Sequence, residues 1–264
     1  MKQFFLLILM GFLLYTACEE AEPTDTEYPT FLDEIDSVAL SAILDELTVS
    51  PFSACTSVDT FGFCFITNKA KGCNEEVRLD SNLSRAEIEN LFFDALTNYS
   101  FLLSVDDPAK IRIESVRTLK GEEYDSFFSL FPDSVQPFWI ITSNLQTYHD
   151  LPVRGTALKM MVSGDQVSAI EGRRFREIFL PAEDVYTEEL AKESLIGREF
   201  SHKRSFIKPH AGTYWYDVQK MIVPLTRSGR IELRVCWILF PETWEIVVDT
   251  QTGEVLSAVD VSAL

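Results

Sequence analysis

A round of one capped helix followed by several strands occurs twice along the chain, and that repetition constrains the fold more than any other feature. In the first round Ser84 and Glu87 form a capping box ahead of Ile88, Leu91, Phe92, Ala95, Leu96 and Tyr99, one apolar stripe at helical spacing. Such a stripe has to be covered. The alternating runs that follow, residues 110–120, 138–143, 157–163 and 166–171, supply a sheet to cover it. Gly164-Asp165, between the last two, suits a two-residue hairpin turn, because glycine takes the positive φ at its first position. In the second round Thr187, Glu188 and Glu189 open a helix carrying Leu190, Ala191 and Leu195, and Gly197 stops it. Residues 216–226, 230–240, 244–249 and 254–259 then read as strands. The class expected is α+β, with two tandem modules of one helix packed on an antiparallel sheet.

An N-terminal helical and Cys-rich extension precedes the modules. Thr30 followed by Asp33, with Ile35, Val38, Ala39, Ala42, Ile43 and Leu47, predicts a helix starting at Thr30, and residues 61–67 read as a strand within a Cys-rich loop. Further upstream, Met1-Lys2-Gln3, an apolar run over 4–15 and the small residues Thr16-Ala17 have the form of a secretory signal over residues 1–17. The boundary Leu14-Tyr15-Thr16-Ala17-Cys18 resembles a bacterial lipobox, which implies lipid attachment at Cys18 and a membrane as partner. The alternative is an ordinary signal peptide that leaves a free thiol at Cys18. Residues 18–29 are acidic and polar and read as a tether. The stretch 19–27 also resembles the acidic signals that send some lipoproteins of diderm bacteria to the outer leaflet of the outer membrane, which implies an extracytoplasmic location at the outer membrane or cell surface. The alternative is a solvated spacer that keeps the domain off the lipid.

Charge and chemistry exclude several classes. The 264 residues carry a net charge of −18, and residues 18–68 hold 11 acidic side chains with no Lys or Arg. A polyanion-binding surface is basic, so nucleic acid is not expected as a partner. Cys55, Cys64 and Cys73 lack the short paired spacing of a zinc site and are disulfide candidates in an oxidising compartment, while Cys236 sits in an apolar run as a small hydrophobe. No metal and no cofactor are expected. The three histidines, His149, His202 and His210, belong to no hydrolase or nucleotide-binding motif, so no catalytic residue is assigned and the protein is read as a non-enzyme. The aromatics Tyr124, Phe127, Phe128 and Phe131 read as a turn covering the first sheet, with a docking patch as the alternative. Arg173, Arg174 and Arg176, and Lys203, Arg204 and Lys208, read as solvated faces, with steering of an acidic partner or contact with anionic surface glycans as the alternative.

Two motifs carry a family resemblance. From Trp244 to Leu256 the chain reads WEIVVDTQTGEVL and looks like the closing hairpin of the PepSY domain, in which Asp249, Thr252 and Gly253 make a structural turn. Upstream, LQTYHDLPVRGTALK over 145–159, continuing through Val162-Ser163-Gly164-Asp165-Gln166-Val167, is similar to the prodomain motif of fungalysin and thermolysin-type proteases. Arg154 stands where that family often has an aromatic. Together the resemblances divide the chain into residues 30–82 (the extension), 83–180 (propeptide-like) and 181–264 (PepSY-like). In those proteases the two modules assist folding of the catalytic domain and block its cleft. The resemblance therefore implies a non-catalytic module that binds a secreted or surface protein as an inhibitor or chaperone; the alternative is a structural component of an envelope complex.

Overall fold

The computed structural model describes residues 28–48, 56–67, 83–100, 103–119, 138–163 and 166–263. The signal segment, Cys18, the tether through Glu27, Cys55, Cys73, the aromatics at 124–131 and the Gly164-Asp165 turn lie outside the described residues. In chain order the elements are β1 (Thr30–Asp33), α1 (Ser37–Thr48), β2 (Thr56–Val58), β3 (Cys64–Thr67), α2 (Arg85–Asn98), β4 (Ile113–Leu119) and β5 (Phe138–Ser143). There follow β6 (Thr147–Tyr148), β7 (Leu151–Pro152), β8 (Lys159–Ser163), β9 (Gln166–Glu171) and α3 (Glu188–Leu195). The chain closes with β10 (Phe200–His202), β11 (Ser205–Ile207), β12 (Trp215–Arg227), β13 (Arg230–Pro241), β14 (Trp244–Asp249) and β15 (Val255–Asp260).

The fold is α+β, with one helix on each of two antiparallel sheets. The first sheet has the order β2-β3-β9-β8-β5-β4. Helix α2 starts as its sequence dictates: the Ser84 side chain accepts from the Glu87 N–H, and the Glu87 carboxylate accepts from the Ser84 N–H at 2.7 Å. Its buried stripe, Ile88, Phe92, Ala95 and Leu96, packs against Ile141, Met160, Val162 and Ile170 of the sheet. The second sheet runs β1-β13-β14-β15, with β12 on the other edge of β13. Thr187 caps α3, whose Ala191 and Leu195 pack on Leu239, Ile246 and Val248. β12 and β13 are joined by Ser228 and Gly229 with φ of 50° and 76°, the doubly positive pair that a tight twisted hairpin requires.

The N-terminal stretch differs from its expected helix. Thr30–Asp33 is a strand paired with Leu233–Arg230 of β13, and the helix starts only after Asp36, whose Oδ1 accepts from the Val38 and Ala39 N–H groups at 2.9 and 2.8 Å. Pairing across 200 residues outweighs a local cap. The stretch is also divided between the sheets, since β2 and β3 extend the first one.

One edge of β13 is thus shared, with β1 against Arg230–Leu233 and β14 against Cys236–Leu239. Between them Val235 is satisfied from two further places. Its N–H donates to the Tyr28 hydroxyl at 2.9 Å, and its carbonyl accepts from Thr250 at 3.0 Å. Burial, with the Asp249 charge adding to it, holds the Tyr28 hydroxyl neutral far above its ordinary range. Tyr28→Phe leaves the Val235 N–H without an acceptor and is expected to destabilise the protein by about 1–3 kcal/mol, read as a lower urea midpoint at unchanged slope.

Candidate functional site

The segment 144–156 joins the sheets. Val153 forms a parallel bridge with Ile222, and the Arg154 N–H donates to the Ile222 carbonyl at 2.9 Å. The Arg154 guanidinium meets the Glu245 carboxylate through two contacts, 2.8 and 3.0 Å, a bidentate pair that locks β14 to this segment. Gln146 grips the Phe175 backbone from both sides, its Oε1 accepting from the Phe175 N–H at 2.9 Å and its Nε2 donating to the Phe175 carbonyl at 2.5 Å. The motif that carries the prodomain resemblance therefore holds the chain at residues 174–175.

At that seam lies a cleft of about 450 Å³. Leu32 of β1, Ile43 of α1, Phe61, Phe63, Phe175 and Leu233 supply apolar walls. Asp59 shapes the loop beneath them, its Oδ1 accepting from the Phe61 and Phe63 N–H groups at 3.0 Å each. Its carboxylate also pairs with Arg173 at 3.2 Å, and the Arg173 guanidinium lies 5.4 Å from the Phe63 ring centre. Arg174 also lines the cleft. It is only 8% exposed, against the expectation of a solvated face, and burial pulls its guanidinium down to about 10, leaving it charged at neutral pH.

A second feature is outward-facing. Phe206 is 74% exposed, Tyr214 68% and Tyr216 67%. Their neighbours Ile207 and Trp215 turn inward and meet in the cluster under α3, so alternation along β11 and the start of β12 sends these three rings into solvent. The Tyr214 and Tyr216 rings stack edge-on at 4.9 Å. Sequence alternation around Ile207 and Trp215 held this information, but without a known inward face it had no direction.

The remaining candidates have structural surroundings. The Asp249 carboxylate is fully buried. Its Oδ1 accepts from Gln251 and Thr252 N–H at 2.7 and 2.9 Å, and its Oδ2 pairs with Arg234 at 2.9 Å. The Thr252 hydroxyl accepts from the Glu254 N–H at 3.2 Å. Gly253 has φ of 67°, and a Cβ there would lie 2.4 Å from the Tyr186 ring, so any side chain would collide. Cys64 is a free, buried thiol pushed up to about 11 by burial and the charge of Asp59, while the other two disulfide candidates, Cys55 and Cys73, lie outside the described residues; Cys236 is likewise free, buried and raised by burial. The histidines stand in separate local roles. His149 stacks on Tyr148, the His210 ring accepts from the Gly212 N–H, and His202 Nδ1 accepts from the Asp260 N–H at 3.3 Å. Among the described residues no group of three or more His, Cys, Asp or Glu is placed to hold a metal ion, and no helix is long and apolar enough to cross a membrane.

No family model matches the chain, and no curated protein matches it. A solved structure, the Bacillus megaterium YpeB C-terminal domain, is similar at 12% identity, covering 86% of this chain and 98% of that chain, with a TM-score of 0.30.

Two outcomes follow from these surroundings. Asp249→Ala strands two turn N–H groups and takes one carboxylate from Arg234, and is expected to cost about 3 kcal/mol or more in equilibrium unfolding. The hydroxyls of Ser205 and Ser262 hold the Asp260 carboxyl down to about 2. A folded-state value below the unfolded one of about 3.9 means stability that is present above about pH 4 and lost as pH falls towards 2. Asp260→Asn is expected to flatten that part of the acid side of a pH series of urea midpoints.

Proposed function

We propose that this protein is a non-catalytic binding module, held outside the cell by lipid on Cys18, that docks a secreted or surface protein through its second sheet module. The observation that carries the reading is the exposure of Phe206, Tyr214 and Tyr216, large rings that the fold sends outward while their neighbours fill the core. Aromatic side chains of this kind supply most of the binding energy where they are buried by a partner. Basic residues lie close by in sequence, Lys203, Arg204 and Lys208, on a chain whose net charge is −18, which favours a partner with an acidic face. The PepSY-like and propeptide-like motifs support an inhibitor-like or chaperone-like action. Occlusion of a partner's cleft would then be the mechanism, with no bond made or broken by this chain.

The test is cross-linking in intact cells, comparing the native chain with the triple variant Phe206→Ser, Tyr214→Ser, Tyr216→Ser. A partner captured by the native protein and reduced about ten-fold or more in the variant, with near-UV circular dichroism unchanged, is the expected result. Equal capture by both proteins counts against this surface. If the captured partner is a protease whose activity is unaltered by the purified protein, the envelope-assembly reading replaces inhibition. Cys18→Ser is expected to shift the protein from the membrane fraction to the soluble one.

A further inference from the structure

Arg174 presents a charge that the described residues do not neutralise. Its Nη2 donates to the Asn144 carbonyl at 3.1 Å, and among the described residues its Nε–H has no partner and no carboxylate pairs with it. The nearby carboxylate of Asp59 is engaged by Arg173 at 3.2 Å. A guanidinium keeps its proton at any physiological pH, so it cannot escape burial by becoming neutral. A site that retains such a group beside an open cleft is prepared for an anion.

The cleft also specifies what kind of anion. Its volume of about 450 Å³ falls within the range of roughly 300–1,000 Å³ typical of small-molecule sites. The walls are apolar, from Leu32, Ile43, Phe61, Phe63 and Phe175, and one polar group that fixes orientation among such walls is the usual pattern of a ligand site. A single guanidinium balances a single negative charge. Glu177, exposed where it lines the same cleft, opposes a second one, although exposed Arg176 beside it offsets part of that field. Phosphate and other dianions are therefore poor occupants, and a free inorganic anion would leave the aromatic walls wet.

We propose that this cleft binds an acyl-chain carboxylate, with the carboxylate received by the Arg174 guanidinium and the hydrocarbon laid against Phe61, Phe63 and Phe175. Planar, bidentate donation to a carboxylate is what a guanidinium does best, and β1, drawn across from β13, supplies one wall along which the chain lies. The site is separate from the exposed rings of the second module, so it stands or falls independently of the docking surface proposed above.

The test uses the exported full chain carrying Cys18→Ser, free of lipid, titrated calorimetrically with decanoate and with 1-decanol, both below aggregation. Decanoate is expected to bind saturably with one molecule per chain and at least about ten-fold more tightly than decanol. Arg174→Met should abolish that preference while leaving decanol binding in place. Equal affinity for the acid and the alcohol, a preference that survives Arg174→Met, or no saturable binding of decanoate would each overturn the assignment. If Arg174→Met does not fold, the native protein still decides the matter. A diazirine-bearing decanoate should label the peptides holding Phe61–Phe63 or Arg174–Phe179, and labelling confined elsewhere would refute the site. The partner capture described above is unaffected by either result.

Discussion

Saturation of the β13 backbone is the constraint on which the second sheet and the seam both depend. A strand flanked on both edges, with every other side chain or more in the core, cannot leave an N–H or a carbonyl without a partner, because water is not there to replace it. β12 satisfies one edge along its whole length. The other edge needs three contributors from distant parts of the chain: β1, the Tyr28 hydroxyl with the Thr250 N–H, and β14. The Tyr28 contact spans 207 residues, and it brings the N-terminal stretch to the middle of the sheet. Because β1 is held there, Phe31 and Leu32 become walls of the cleft; without that pairing the cleft would lack one side.

The buried Asp249 carboxylate extends the same logic to the closing hairpin. It ties Arg234 of β13 to the turn N–H groups of Gln251 and Thr252, just where the Thr250 N–H reaches Val235. A turn set in this way also presents its outer side to the chain before α3. Tyr186 donates to the Thr250 carbonyl at 2.7 Å and accepts, at its own carbonyl, from the Trp237 ring N–H at 2.9 Å. Helix α3 therefore enters from a position fixed by the hairpin. Local turn chemistry, strand pairing and helix placement are one connected set of bonds.

Local signals in the sequence were strong where the physics is local. The Ser84–Glu87 box, the Thr187 cap and the alternation at 138–143 and 244–249 each express a choice made within a few residues, and the structure has those elements in those places. The stretch 30–33 was different. Thr and Asp three apart at the head of an apolar helical pattern look like a cap, yet the edge of β13 offers Thr30–Asp33 a ladder that no local pattern foretells. Arg174 is the same lesson in a charged residue. Between Arg173 and Arg176 nothing distinguishes it, and only the grip of Gln146 on Phe175 and the Asn144 carbonyl, about 30 positions upstream, draw it inside. Burial of this kind is a property of the seam, which comes into being only when both sheets are formed.

The overall acidity of the chain bears on how such a buried cation discriminates. A formal net charge of −18 over the full chain disfavours small anions in the neighbourhood, and in water at physiological ionic strength that repulsion fades beyond roughly 8 Å. An anion that reaches Arg174 must also shed its hydration; the guanidinium has already lost its own on folding, so the contact offsets that cost and favours a carboxylate over a hydroxyl by about ten-fold, too little by itself to hold a ligand. Net affinity then has to come from apolar area removed from water along Phe61, Phe63 and Phe175, at roughly 25 cal/mol per Å². Acetate brings almost none and a long acyl chain brings a great deal, so the charge selects the head group while the walls set a minimum length. Selectivity of that form needs one buried cation and a row of rings, and this seam places both side by side.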